Sequence, residues 1–401
     1  MSADDPKTVT KRRVFYIPGY DPIHPRRYRE LYRTESKEQA QISGYDIGQS
    51  PKASGDGPYG LHVDATIDGQ AVAADIDVLL WSDIVRDSME TSILATYGQL
   101  VRTAWTYISS GALRRLMWLR KGPVIAALYP VGMLIVQLLV ALGLAALVAS
   151  LVGMWFGWIL GAALAVGVLR WFKSKDNKFF AYYLMHDYAF SARWRGANPA
   201  ALEHRMAEFG DTIAAAFDDD VDEVLVVGHS SGAHLAVSIL ADLMRAERVP
   251  TRGPTLGFLS LGQVVPMMSF LPDAHRLRGD LAFLSTQDQM AWIDVTAPGD
   301  GCAFALCDPV GVSGVATDDQ KWPLVFSATF TQSLKPETWK ALRWRFFRLH
   351  FQYLCAFDSS RDYDYFQITA GPLTLADRFR GRMPSKSRIT RAASKYTSTA
   401  P

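Results

Sequence analysis

A serine between two closely spaced glycines is the residue of this chain best placed to do chemistry. Ser230 lies in the segment Gly228-His-Ser-Ser-Gly232, after the apolar run 224–227 and before a helix-like pattern. A strand, a tight turn and a helix in this order form a nucleophile elbow, which holds its serine in a strained backbone conformation and leaves room only for small residues nearby. The pattern therefore predicts that Ser230 is a nucleophile at the end of a buried strand.

A serine hydroxyl needs a base to accept its proton, and the base needs a carboxylate to orient it. The best acid candidate is Asp300, in the turn that follows the strand-like run 292–296, and Asp308 is the alternative. In the chain order serine, acid, histidine, the base must follow the acid. Of the eight histidines, His350 is the one that follows Asp300. The expected triad is Ser230, Asp300 and His350.

An acyl-transfer site must also stabilise an oxyanion, usually with two backbone N–H groups. The residue after the nucleophile, Ser231, supplies one such group. The second is expected from Tyr20, because the strand-like run 14–17 ends in the turn Pro18-Gly19-Tyr20. The three cysteines show no metal-ligand spacing, so neither a metal nor a cofactor is expected.

A long apolar segment interrupts this pattern of strands and helices. The 48 residues 122–169 contain no charged side chain. A single crossing of a bilayer needs about 20 residues, so this length suits two transmembrane helices, at about 123–146 and 151–171, with a turn at 149–152. A buried pair of soluble helices is the alternative, although soluble helices usually keep a polar face.

Basic residues flank the apolar segment on both sides. They are Arg114, Arg115, Arg120 and Lys121 before it, and Arg170, Lys173, Lys175 and Lys178 after it. Because basic flanks stay in the cytoplasm, we expect an inner-membrane protein with two spans and with both termini and the catalytic domain on the cytoplasmic side. The first eleven residues lack the apolar region of a cleavable signal peptide. The lipid bilayer is the expected partner. A net charge of only +2 implies no general polyanion-binding surface, so nucleic acid is not an expected partner.

Glycines recur at every fourth position in the second span, at Gly153, Gly157 and Gly161. Small residues at this spacing allow two helix backbones to approach closely. The stripe favours packing of the hairpin on itself, and a homodimer through the same glycines is the alternative.

Alternation of strands and helices predicts an α/β fold with a mainly parallel sheet flanked by helices. The core is expected at 11–82 and 200–375. Residues 83–199 would form an inserted helical cap that contains the transmembrane hairpin, with 83–121 as one long helix. The basic tail 376–401, rich in serine and threonine, is predicted to be disordered and to suit contact with an anionic leaflet.

The elbow around Ser230, the turn at Tyr20, Asp300 and His350 together resemble the α/β-hydrolase superfamily, in its lipase and esterase branch. The resemblance implies Ser230 as nucleophile, His350 as general base and Asp300 as the group that orients it. The first loop lacks the His-Gly pair that is common in lipases. The resemblance further implies hydrolysis of carboxylic esters through an acyl-enzyme, and a cap in the membrane favours hydrophobic or lipid esters. A thioesterase or acyltransferase would use the same residues, and a non-catalytic membrane scaffold is the alternative from another class.

Overall fold

One mostly parallel sheet of eight strands organises the protein. The computed structural model describes residues 8–20, 26–52, 57–81, 83–84 and 92–400. The strands are β1 (Lys11–Ile17), β2 (Asp46–Ser50), β3 (Gly60–Ile67), β4 (Gln70–Val78), β5 (Glu223–His229), β6 (Thr255–Leu261), β7 (Met290–Thr296) and β8 (Leu324–Ser327). Their order across the sheet is β2-β3-β4-β1-β5-β6-β7-β8. Only β3 runs against its neighbours, and the tight turn Asp68-Gly69 joins it to β4.

Helices cover both faces of this sheet. Those of the core are α1 (Arg26–Ser43), α8 (Ala200–Ala215), α9 (Gly232–Arg245), α10 (Val265–Ser269), α11 (His275–Leu284), α12 (Pro309–Ser313), α13 (Phe330–Ser333), α14 (Pro336–Leu342), α15 (Phe346–His350), the 3₁₀ turn Gln352–Leu354, α16 (Tyr365–Ala370) and α17 (Leu375–Arg378). Side chains of β1 alternate between the two faces, Val14 and Tyr16 in one apolar cluster and Phe15 and Ile17 in the other. Burial of both faces is typical of parallel sheets. The predicted α/β class with a mainly parallel, helix-flanked sheet is confirmed.

An insertion of helices separates β4 from α8. Its members are α2 (Ile93–Ser109), α3 (Ala112–Leu119), α4 (Lys121–Val152), α5 (Met154–Ser174), α6 (Asp176–Phe179) and α7 (Ala181–Arg193). By length and composition, α4 and α5 are long and apolar enough to cross a membrane, and little of either helix is buried inside the protein. The predicted inserted pair of apolar helices is therefore present.

Two local predictions for this insertion were wrong. In its described part, the segment 83–121 is two helices and not one, because Gly111 takes a left-handed conformation (φ 75°) between α2 and α3. The hairpin turns at Gly153 (φ 66°) and not at 149–152, so both apolar helices differ in their limits from the predicted spans. Glycine adopts positive φ without steric cost, so it marks both turns.

The basic tail is ordered in this structure, contrary to the prediction. Its backbone pairs with the core: the Ile389 N–H donates to the Leu306 carbonyl at 2.7 Å, and the Ala393 N–H donates to the Val312 carbonyl at 2.9 Å. The buried Arg278 side chain donates to the Ser398 carbonyl at 2.7 Å. Disorder was predicted because the tail is basic and rich in serine and threonine, but backbone hydrogen bonds hold the tail on the core.

The glycine stripe packs the hairpin on itself. A Cβ atom at Gly157 would lie 2.8 Å from the Ala149 carbonyl oxygen, and one at Gly161 would lie 2.5 Å from that of Ala145. Gly153, which forms the turn, has no neighbour within 4 Å of such an atom. Because α4 covers Gly157 and Gly161, those two glycines are not open to a second copy of the chain.

We expect Gly161→Val to destabilise the hairpin by about 1–3 kcal/mol, because the new side chain would overlap the α4 backbone. Gly167→Val, on the same helix, is the matched control, because a Cβ atom at Gly167 would have no neighbouring atom within 4 Å. The measurement is the midpoint of thermal unfolding of the full chain in detergent micelles. Equal midpoints for the two variants would contradict the packing described here.

Candidate active site

The turn at Ser230 has the geometry of a nucleophile elbow. Ser230 joins β5 to α9 and has a φ of 56°, in the left-handed region. A Cβ atom at Gly228 would lie 2.7 Å from the Cα of Ala233, and one at Gly232 would lie 2.1 Å from the carbonyl oxygen of Ile17. Larger residues would therefore force the turn open. The Ser230 N–H donates to the Leu261 carbonyl at 2.9 Å, which fixes the turn at the carboxyl edge of the sheet.

A buried carboxylate and imidazole pair lies at the same edge. His350 Nδ1 and Asp300 Oδ2 are 2.7 Å apart, and both residues are buried. Asp300 also accepts from the Cys302 N–H at 2.8 Å and from the Tyr353 hydroxyl at 3.0 Å. Three donors therefore satisfy this buried carboxyl group, which would be costly to remove from water without partners. Because Asp300 faces Nδ1, that nitrogen carries the proton and Nε2 is left as the basic nitrogen.

Tyr353 is a functional residue that the sequence reasoning missed. Burial, together with the neighbouring Asp300 charge, raises the pKa of Tyr353 well above its usual value, so its hydroxyl remains a donor. The same hydroxyl accepts from the Ala297 N–H at 2.9 Å. Tyr353 follows His350 by three positions, the spacing at which two side chains share one face of a helical turn. That spacing was the available signal.

The alternative acid, Asp308, has a different role. Its Oδ1 accepts from the N–H groups of Val310 and Gly311, at 3.0 and 3.2 Å, which makes it the N-cap of α12. Its Oδ2 accepts from Gln320 at 2.9 Å. Asp308 therefore has its partners elsewhere, and the structure pairs His350 with Asp300.

Asp294, two residues before the end of β7, is also buried. It lies inside β7 and bonds to the Ser260 hydroxyl at 2.5 Å. Burial raises the pKa of Asp294 to about 8, so this side chain is mainly neutral at pH 7. A neutral carboxyl would stabilise an imidazolium less than a carboxylate can.

The link between Ser230 and His350 is the part of the triad that the structure leaves unmade. His350 Nε2 is buried and has no hydrogen-bond partner among the described residues. His350 lies against the residue that precedes Ser230, because the His229 ring packs 4.8 Å from the His350 ring and its Nε2 donates to the His350 carbonyl at 3.0 Å.

The Tyr20 N–H, one of the two expected oxyanion donors, also differs from the prediction. The Pro18-Gly19-Tyr20 turn does lie against the elbow, since a Cβ at Gly19 would be 2.8 Å from the Cβ of Ser230. The Tyr20 N–H, however, donates to the Ser231 hydroxyl at 2.8 Å and is not open to a ligand in this state. A buried N–H without an acceptor costs about 1–3 kcal/mol, so the neighbouring hydroxyl takes the place of a ligand oxygen. The Tyr20 carbonyl accepts from the Tyr183 hydroxyl of α7.

Three side chains at this site are of the types that bind metals. Ligand atoms of Asp300, Cys302 and His350 lie within 4.8 Å of one another. Burial raises the pKa of the Cys302 thiol well above its usual value, and this disfavours the thiolate that a metal requires. Asp300 and His350 already bond to each other, so a metal would have to break that hydrogen bond to use both atoms. The arrangement suits proton transfer better than metal binding.

Comparison of the chain with protein-family models, with curated proteins and with solved structures found no match. The function has to be argued from the geometry of the site itself.

Buried histidines beside the elbow predict a loss of stability in acid. Burial lowers the pKa of His229 to about 3 and that of His234 to about 4, whereas an unfolded histidine titrates near 6.5. Below about pH 6.5 the unfolded chain therefore binds more protons, and stability falls by up to about 1.4 kcal/mol per pH unit for each histidine. We expect His229→Gln, which keeps a donor for the His350 carbonyl but cannot titrate, to show a shallower fall between pH 6.5 and 4.

The measurement is the denaturant midpoint of the wild type and of His229→Gln at several pH values in that window. Above pH 6.5 the difference between them should be constant. Parallel curves throughout the acid window would contradict the assignment of a neutral, buried His229.

Proposed function

We propose that this protein is a membrane-anchored serine hydrolase that cleaves carboxylic esters. The observation that carries the proposal is the buried hydrogen bond between Asp300 Oδ2 and His350 Nδ1, at 2.7 Å, beside a serine in a strained elbow. A buried hydrogen bond between a carboxylate and an imidazole, at a sheet edge next to a candidate nucleophile, is typical of catalytic sites. The resemblance to α/β-hydrolases of the lipase and esterase branch is part of this proposal, and the mainly parallel sheet supports it.

In the proposed reaction, Ser230 Oγ attacks the ester carbonyl carbon while His350 Nε2 accepts the serine proton. Asp300 stabilises the resulting imidazolium through Nδ1. The tetrahedral intermediate collapses, the C–O bond to the alcohol breaks, and His350 returns its proton to the leaving alcohol. A water molecule, activated by the same nitrogen, then hydrolyses the acyl-enzyme and releases the acid. This sequence restores Ser230 and His350 to their starting protonation states.

The oxyanion would be stabilised by the N–H groups of Ser231 and Tyr20. Use of the Tyr20 N–H requires the Ser231 hydroxyl to give up the hydrogen bond that it accepts in this structure. A substrate oxygen that carries developing negative charge is a stronger acceptor than a neutral hydroxyl. The exchange therefore favours the transition state over the ground state, which is the preference that catalysis requires.

The anchor would be the hairpin of α4 and α5. Its basic flanks support a location in the inner membrane, with the catalytic domain and both termini in the cytoplasm. Most side chains of the two helices are exposed in the folded chain, as expected for helices whose solvent is lipid. Anchoring places the site beneath a leaflet, which supports hydrophobic or lipid esters as substrates.

A fluorophosphonate probe tests the nucleophile. We expect covalent labelling of the wild-type protein in membranes and no labelling of Ser230→Ala, because the probe reacts only with an activated serine. Ser238→Ala, on the helix that follows the elbow, is a matched serine control and should label like the wild type. If the wild type stays unlabelled while its fold is intact, the protein is a non-catalytic scaffold.

A second test concerns the acid. Asp300→Asn should slow the labelling rate by about a hundredfold or more, since an amide favours the wrong tautomer of His350 and stabilises no imidazolium. Asp308→Asn should label within about threefold of the wild type, because asparagine is an equally good helix N-cap. The rate constant of labelling by a soluble probe is the measurement. A larger effect at Asp308 than at Asp300 would refute the acid assignment.

A further inference from the structure

The two helices of the hairpin differ in length, and the difference is all at one end. Gly157 lies against Ala149 and Gly161 against Ala145. Continuing this antiparallel register places Ser174, the last residue of α5, beside Gly132 of α4. The first eleven residues of α4 (121–131) thus extend beyond α5, by about 16 Å at 1.5 Å per residue. We name this part of α4 the stem.

The stem ends at the catalytic acid. A Cβ atom at Gly122 would lie 3.4 Å from the Cα of Gly301, the residue after Asp300. Just before the stem, Arg120 donates to the Ala305 carbonyl at 2.8 Å. One continuous helix therefore connects the acid loop with the segment proposed to cross the membrane.

An apolar stripe follows α4 from the stem into the span. On the stem it consists of Ile125, Leu128 and Tyr129, which are 59%, 43% and 41% exposed. These positions share one face at helical spacing. The same face continues above the stem through the exposed residues Ile135, Val136, Leu139 and Val140. The surface that faces lipid in the proposed span thus continues toward the catalytic domain without a polar break.

Three exposed phenylalanines lie opposite the stem. Phe346 and Phe347 begin α15, and Phe180 follows α6; each is more than 40% exposed. The Tyr129 hydroxyl donates to the carbonyl of Phe179 at 2.8 Å, and the Phe180 ring is 6.3 Å from that of Phe347. These contacts connect Tyr129 of the stem with the segment of Phe180 and, through the Phe180 ring, with α15. We name the following side chains the stem patch: Ile125, Leu128, Tyr129, Phe180, Phe346 and Phe347.

The inner end of the stem patch meets the catalytic pair. Phe346 packs against Gly301, since a Cβ there would be 2.9 Å from its ring. Phe347 precedes His350 by three residues on the same short helix. The outer end, at Tyr129 and Phe180, is close to the last residues of α5. A hydrocarbon chain lying along the patch would therefore reach from the leaflet to the site.

Exposed basic side chains lie just before α15 and within it. They are Arg343, Arg345 and Arg348. Trp344 is 72% exposed, and the Arg343 guanidinium lies 5.6 Å from its ring. Exposed tryptophan beside arginine suits the headgroup layer of a bilayer, where the phosphates are. These basic and aromatic side chains, together with the continuity of the apolar stripe with the span, favour a lipid as the molecule that covers the stem patch.

We propose that the stem patch guides one acyl chain of a bilayer lipid ester from the leaflet to Ser230, so that the substrate is taken from the membrane. This inference rests on the proposed serine hydrolase function. It adds the substrate class, a lipid that keeps part of its structure in the leaflet, and names the residues that select it.

Kinetics provide the first test, with the full chain reconstituted in phosphatidylcholine vesicles. The readout is the ratio of two hydrolysis rates, that of p-nitrophenyl palmitate in the vesicles to that of p-nitrophenyl acetate in solution. We expect Ile125→Asp and Phe347→Ser each to lower this ratio about tenfold, because each variant removes an apolar contact from the path of the acyl chain. Val101→Asp is the matched control, since Val101 is 66% exposed on α2 but lies outside the patch. An unchanged ratio in the two patch variants, or an equal fall in the control, overturns the inference.

The second test needs no catalysis and separates the inference from the proposed function. Ser230→Ala is reconstituted with a phosphatidylcholine that carries a diazirine near the end of one acyl chain, and the protein is irradiated and mapped by mass spectrometry. Crosslinks within 121–131 and 344–351 are expected, and Ile125→Asp should reduce them. Crosslinks confined to the spans 133–174 overturn the inference even if the wild type hydrolyses soluble esters. Failure of fluorophosphonate labelling, in contrast, refutes the hydrolase proposal.

Discussion

One buried carboxylate, that of Asp300, constrains the geometry of the whole site. It receives hydrogen bonds from its own loop at Cys302, from His350 on α15 and from Tyr353 on the following turn. Tyr353 in turn holds the Ala297 N–H at the end of β7. A charge removed from water is tolerated only if donors compensate it, so these three segments must converge for the chain to fold. The position of the imidazole is a consequence of that requirement.

The insertion is coupled to the site as well as to the anchor. Tyr183 of α7 binds the Tyr20 carbonyl, while the N–H of the same Tyr20 binds the Ser231 hydroxyl. The other face of α7 packs with Leu134 of α4 and Tyr97 of α2 in a separate apolar cluster. The loop that carries the proposed second oxyanion donor is therefore held between the core and a helix that packs on the proposed membrane anchor.

Features fixed by local pattern could be predicted from the sequence. The elbow at Ser230 needs only glycines on both sides and a β-branched strand, and the apolar segment needs only its length. Asp300 was preferred over Asp308 for its place in the turn after a strand, and His350 then followed from chain order. The tail could not be predicted, because backbone hydrogen bonds such as that of Ile389 to Leu306 depend on tertiary position and leave no compositional signal. The engagement of the Tyr20 N–H by Ser231 was missed for the same reason, since residues 211 positions apart make it.

The exposed surface of the hairpin explains why lipid is its proposed solvent. Leu139, Leu151 and Trp158 are each more than 60% exposed, although the two helices pack closely along Gly157 and Gly161. In water, each such side chain would forgo about 1.5–3 kcal/mol of available burial energy, and a contiguous apolar surface of this kind would promote aggregation. The glycines remove any need for large side chains at the helix contact, so the large ones face outward around the pair. Because that outward face then continues down the stem to Gly122 and Gly301, the lipid that surrounds the proposed anchor would also meet the edge of the sheet that carries the proposed site.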